Sequence, residues 1–157
     1  MTLLKILNLR SCIKLSLTSL PNELSNFTSL TILNINIRRC SSLKILQNEL
    51  DNFTSLTIFD INGCLRLTLL PNELDNLISL TTFDISWCTS LTSLPNTFGN
   101  LTSLTTLNIE YCSSLKSLPD ELSNLTSLTT LSIRKYSSLR TLLNELDNFT
   151  SLTTLYM

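Results

Sequence analysis

Five cysteines, Cys12, Cys40, Cys64, Cys88 and Cys112, are the residues of this chain best suited by type to chemistry. A thiolate can attack as a nucleophile, change redox state or bind a metal. Their spacing argues for none of these. From Cys40 onward they recur every 24 residues, and no C-x-x-C occurs that would suit zinc. Five thiols cannot pair completely into disulfides. No charged, apolar and small-residue sequence reads as an export signal, so a reducing, cytoplasmic setting is expected. The expected role of the five is a structural ladder of buried thiols, one per repeat, with no metal and no cofactor.

Other catalytic signals are sparse. The chain has no histidine, which removes His-dependent triads and His general bases. Gly63 and Gly99 are its only glycines, so no Gly-rich phosphate cradle can form. The carboxylates Glu23, Glu49, Glu73, Glu121 and Glu145 fall in a repeating column, where they read as an acidic edge at helix starts. N-x-T occurs at Asn26, Asn52, Asn100, Asn124 and Asn148. In an exported protein these would be glycosylation acceptors; here the triplet reads as part of the repeat. The chain is expected not to be an enzyme.

The elements that position these residues follow from one unit, L101-T-S-L-T-T-L-N-I-E-Y-C-S-S-L-K-S-L-P-D-E-L-S-N124. Pro71, Pro95 and Pro119 keep the same step of 24 as the cysteines. Leu107 and Ile109 alternate with Thr106, Asn108 and Glu110, a period of two that gives a short strand with one apolar face. Such a strand cannot bury that face alone, but stacked copies make a continuous core. Seven strands are expected, centred on Leu7, Leu33, Phe59, Phe83, Leu107, Leu131 and Leu155, with steps of 26, 26, 24, 24, 24 and 24 residues. Their near-constant translation predicts parallel pairing. Pro119-Asp120-Glu121-Leu122 reads as the start of a short 3₁₀ or α segment on the return path, with proline at its first position. The extra residues of the second long step surround Arg38 and Arg39, which are expected at the rim of the inner face.

Neighbouring strands about 4.7–4.9 Å apart would bring successive cysteines within the Cα range of a disulfide. Stacked side chains point in parallel, however, and not at one another. Tyr136 stands in the cysteine column, and Gln47 and Leu143 stand in the proline column, as local variations.

The face left free by the repeat is where binding is expected. Between the core positions of each strand stand Asn8, Asn34, Asp60, Asp84, Asn108, Ser132 and Tyr156. Further out come Glu110 and Arg134, then Gly63, Trp87, Tyr111 and Lys135. The single Trp of the chain thus sits among Asp60, Asp84, Asn108, Glu110, Tyr111, Arg134 and Lys135. Aromatic and charged residues on a concave sheet suit partner recognition. The alternative is that Trp87 folds over the ladder as packing.

The text L-x-x-L-x-I-x-x-C, followed by S-L-x-x-L-P, is identified as a leucine-rich repeat. With cysteine in the ladder and a step of 24, it resembles the intracellular repeats of plant disease-resistance proteins. Pro119-Asp120-Glu121-Leu122-Ser123-Asn124-Leu125 also resembles Ras-binding-type repeats. The resemblance implies an α/β solenoid: a right-handed coil with a parallel β-sheet on the concave face and short 3₁₀/α segments on the convex face. It also implies a recognition or autoinhibitory module. One domain over residues 1–157 is expected, of about six repeats, either complete or part of a longer array.

A net charge of -1 without a basic block argues against nucleic acid or an anionic membrane as the main partner. The strand period breaks every apolar run well short of the ~18 residues of a membrane span. A protein partner remains as the expected ligand. Met1 and Met157 lie in half-repeats without capping motifs, which invites end-to-end pairing with another chain. The remaining alternatives are a structural fragment of a longer array and an extracellular ligand-binding ectodomain.

Overall fold

The computed structural model describes residues 3–9, 18–35, 43–44, 46, 50–135 and 149–157. Seven three-residue strands form one parallel sheet in sequence order: β1 (Ile6–Asn8), β2 (Ile32–Asn34), β3 (Ile58–Asp60), β4 (Thr82–Asp84), β5 (Thr106–Asn108), β6 (Thr130–Ser132) and β7 (Thr154–Tyr156). The fold is an open leucine-rich repeat arc, a solenoid in which every strand neighbours the next. Leu33 pairs with Phe59, Phe59 with Phe83, Phe83 with Leu107 and Leu107 with Leu131. The register thus steps one repeat at a time, and equivalent side chains lie in columns.

Backbone pairing runs beyond the strands. Ile61 and Ile85 N–H groups reach the carbonyls of Asp84 and Asn108 at 2.9 Å. Two residues later, Gly63, Trp87 and Tyr111 donate to Ser86, Glu110 and Arg134 at 2.8–2.9 Å. Before the strands, the hydroxyls of Thr57, Thr81, Thr105 and Thr129 each donate to the carbonyl of the Thr one coil earlier, at 3.0–3.1 Å. The N–H groups of Thr81 and Thr82 reach that same oxygen of Thr57 at 2.9 and 3.0 Å. Three donors therefore converge on one carbonyl. This fixes strand entry at the place where the chain turns in from the return path.

Among the described residues, the return segments include four five-residue 3₁₀ turns, Asn22–Asn26, Asn72–Asn76, Asn96–Asn100 and Asp120–Asn124. Each proline lies one residue before the turn and not at its first position. Pro21, Pro71, Pro95 and Pro119 are extended, with φ from -65° to -71°, as N-caps. The reason is the tighter i→i+3 closure: the Pro119 carbonyl accepts the first bond, from Leu122 N–H at 3.0 Å.

Leu74 and Leu122 point from these turns into the core; Phe98 takes their place in the intervening coil. Its ring stacks on Phe83 at 5.6 Å, and Phe83 stacks on Phe59 at 5.1 Å. Gly99 follows because a Cβ there would lie 2.3 Å from the Glu121 carbonyl oxygen of the next coil.

Leu3, Ile6, Tyr156 and Met157 are exposed. Met1, Arg38, Arg39, Gln47, Tyr136 and Leu143 lie outside the described residues, as do Cys12 and Cys40.

Candidate functional site

The site grows from the turn that ends each strand. Asp60, Asp84 and Asn108 close the same local bond: their Oδ1 atoms accept the N–H two residues on, from Asn62, Ser86 and Glu110, at 3.0, 2.9 and 3.1 Å. This side-chain turn is what Asp and Asn do well. The next residue takes left-handed backbone, with φ of 78° at Gly63, 60° at Trp87 and 58° at Tyr111; Lys135, one coil on, has the same conformation at 59°. For glycine that conformation carries no steric cost; for a residue with a Cβ it costs roughly 1–2 kcal/mol. Three coils in succession thus hold bulky side chains where the neighbouring coil holds glycine.

Trp87 and Tyr111 stack, with ring centroids 4.0 Å apart and planes within 10°. The indole is 41 % exposed and is not buried over the cysteine ladder. Lys135 continues the column and is exposed. Asp60 is only 7 % exposed, and the hydroxyls between the columns are buried as well. Asn62 donates through Nδ2 to Ser86 Oγ. Ser86 Oγ donates in turn to Asp84 Oδ1 at 2.5 Å, and Asn108 Nδ2 reaches Asp84 Oδ2 at 3.4 Å. Burial pushes the Asp84 carboxyl above its ordinary range and Asp60 adds to this, against the lowering bonds from Ser86 and Asn62.

One coil further, Ser132 donates to Glu110 Oε1, and Arg134 Nε lies 3.7 Å from the same oxygen. The Arg134 guanidinium carbon stands 5.3 Å above the Tyr156 ring. A groove of about 290 Å³ opens here between Thr106, Asn108, Glu110, Thr130, Arg134 and Tyr156.

The eight residues expected on the concave face therefore fall into three groups. Trp87, Tyr111 and Lys135 form one column, exposed at Trp87 and Lys135 and half-buried at Tyr111. Glu110 and Arg134 form a loose ion pair beside the groove. Asp84 and Asn108 hold the turns that present Trp87 and Tyr111, and Asp60 holds the equivalent turn before Gly63. Asn62, Ser86 and Ser132 stand in the same inner-face columns but are not among the eight expected site residues, because hydroxyls and amides carry no mark of their own.

Cys64, Cys88 and Cys112 are buried and free. The Cys88 and Cys112 thiols point at the carbonyls of Ile61 and Ile85, at 3.5 and 3.2 Å. A hydrogen bond with Cys64 and burial push Cys88 strongly upward; burial, then Cys88, push Cys112 up to about 12. Such thiols are inert at neutral pH. Among the described residues no three potential ligands converge on a metal position. Asn52, Asn100 and Asn124 are exposed at the return turns, away from the strands.

Asp84 carries a prediction with a definite sign. A carboxyl whose native pKa is raised stabilises the fold below its unfolded value and loses that contribution as pH rises through the native value. At pH 7 the ionised group is therefore a cost. Asn fits the same turn, as Asn108 shows. Asp84→Asn should melt slightly higher than the parent at pH 7, and the two should converge near pH 3.5. A variant less stable at pH 7 than at pH 3.5, relative to parent, contradicts this.

A family model described as "Leucine-rich repeat region" matches residues 8–157. A search of curated protein sequences returns no match. Among solved structures, a leucine-rich repeat protein of Leptospira interrogans is 20% identical over 98% of this chain and 49% of its own, with a TM-score of 0.47. The Arabidopsis receptor kinase HAESA, solved with the peptide hormone IDA and the co-receptor SERK1, is 20% identical over 95% of this chain, with a TM-score of 0.50. Internalin C2 of Listeria monocytogenes is 15% identical, over 88% of this chain and 75% of its own, with a TM-score of 0.41. The chain spans about half the length of the first of these and 29% of the second. At such identities the likeness is one of fold. The family match covers nearly every coil, and its repeat supplies both the columns and the sheet on which the aromatic pair stands: the chain belongs to the leucine-rich repeat family.

Proposed function

We propose that this chain is a non-enzymatic protein-interaction module that engages its partner on the concave sheet face, with Trp87 and Tyr111 as anchors. One observation carries this: the two rings are stacked, with Trp87 exposed and Tyr111 half-buried, and both are held on left-handed backbone that glycine would adopt without cost. Folding alone gives no reason to keep them there. Aromatic anchors of this kind dominate interface energetics. Asp60, Asp84 and Asn108 shape the site; Glu110, Arg134 and Lys135 supply its charge. The HAESA structure contains a peptide hormone, which agrees with a proteinaceous ligand for this class of surface.

The free, buried thiols favour a reducing location, so we place the module in the cytoplasm, as one domain over residues 1–157. The cysteine ladder and its step of 24 support a role akin to plant-type immune recognition. The described residues contain no helix long and apolar enough to cross a membrane, and the charge pattern favours protein over nucleic acid.

Trp87→Gly separates binding from folding. Relief of left-handed strain, about 1–2 kcal/mol, offsets a lost stack worth about 0.5–1.5 kcal/mol. The melt should therefore hardly move. Loss of an anchor typically costs about 2 kcal/mol or more, over tenfold in affinity. Cross-linked capture from the native host, with parent, Trp87→Gly and Glu73→Ala as baits, gives the test. The partner should be lost with Trp87→Gly and kept with Glu73→Ala, on the return side. Equal capture by all three baits sinks the reading.

A further inference from the structure

The two anchors are bordered by carboxylates. Asp84 is three residues before Trp87, and its Oδ2 reaches toward the coil of Tyr111, where Asn108 Nδ2 is 3.4 Å away. Among the described residues, Asp84 has no ion pair. Asp60 stands beside it in strand register, so two like charges face each other on one side of the sheet, an arrangement that disfavours the free fold. Glu110 immediately precedes Tyr111. Aromatic faces are themselves electronegative and attract cations.

One coil further, the chain displays what such a setting holds. Arg134 lies between the Glu110 carboxylate and the Tyr156 ring, at 3.7 and 5.3 Å. Among the described residues, no basic group stands over Trp87 or Tyr111. Lys135 is the free positive charge nearby in the column, and Arg134 is offset by Glu110. Among the described residues, Asp84 is thus a carboxylate next to the aromatic pair that no basic group offsets.

Resting on the interaction reading above, we propose that the Trp87–Tyr111 platform takes a cationic side chain, arginine or lysine, from an extended segment of the protein partner, with Asp84 as its counter-charge. Arginine is the better fit, because its flat guanidinium stacks on a ring and forks toward a carboxylate at once.

Trp87 is the single tryptophan of the chain and so reports on the site directly. Its fluorescence is titrated with a short acetylated and amidated peptide of alternating glycine and arginine. Matched peptides carry glutamine or glutamate instead. The arginine peptide should give a saturable change at about tenfold lower concentration than the glutamine peptide. The glutamate peptide should give none. Asp84→Asn should weaken the arginine response by about fivefold, the upper range for one exposed charge pair, with circular dichroism unchanged and the melt no lower than the parent's. An equal or stronger response to glutamine or glutamate overturns the cation and leaves the platform reading standing. An arginine response indifferent to Asp84→Asn overturns Asp84 as the counter-charge. Silence with all three peptides overturns the inference outright, and the capture experiment then decides separately whether the face binds a partner.

Discussion

Phe83→Ala is expected to cost about 3–5 kcal/mol, the range for emptying a buried aromatic site. The side chain is fully buried and lies between two others, Phe59 at 5.1 Å and Phe98 at 5.6 Å. Removing it leaves a cavity and strips a stacking partner from both neighbours. The architecture amplifies the loss. In a solenoid each coil contacts only its neighbours, so one damaged interface uncouples the coils on either side. Denaturant unfolding should shift to much lower concentration and broaden, because the two halves no longer melt together. Phe83→Leu is the control: Leu33, Leu107 and Leu131 fill the same column, so leucine should lose only a fraction of that stability. A single sharp transition near the parent midpoint for Phe83→Ala would defeat this account.

The same column logic explains how far the sequence could be read. Strand number, order and parallel register follow from a fixed step, and so does the apolar face. A one-residue slip would turn Leu107 and Ile109 outward, which makes the register robust. The prolines were harder to place. Nothing in Pro-Asp-Glu-Leu distinguishes an N-cap from a first helical residue until the closure of the turn is known. The phenylalanine stack was equally hidden, since Phe59 and Phe83 share a column but Phe98 comes from the return turn, whose contacts depend on the coil's width.

At the site, residue type found the exposed column but not its backbone. Gly63 heading a column that continues with Trp87, Tyr111 and Lys135 was the available sign of a left-handed position. It looked like sequence variation because three of those four residues rarely adopt it. The division between residues that could bind and residues that hold the turn was also invisible. Asp84 and Glu110 look alike as letters; one closes a turn and the other pairs with Arg134.

The thiols should make the fold sensitive to alkali. Burial pushes Cys112 from its ordinary 9.0 up to about 12, and Cys88 is pushed up as well. For a group whose native pKa is raised, the stabilising contribution is complete below the unfolded value and is lost as pH climbs through the native one. Below about pH 8.5 both thiols are largely protonated, folded or unfolded, and stability should hardly depend on them. Above it the unfolded chain sheds protons that the native ladder retains. Each thiol then removes about 1.4 kcal/mol of stability per pH unit, so the pair removes about 2.8 kcal/mol per unit. Against a total of roughly 5–15 kcal/mol for a typical domain, unfolding should follow within a few units. Urea midpoints measured from pH 6 to 11 should stay level to about pH 8.5 and then fall steeply. Cys88→Ser/Cys112→Ser keeps a hydroxyl donor for the Ile61 and Ile85 carbonyls and should flatten the alkaline slope, whatever its stability at pH 7. A thiol reagent at pH 8 should find Cys64, Cys88 and Cys112 unreactive until denaturant is added. An unchanged slope in the double variant would assign the alkaline loss to tyrosine or lysine and remove the ladder from it.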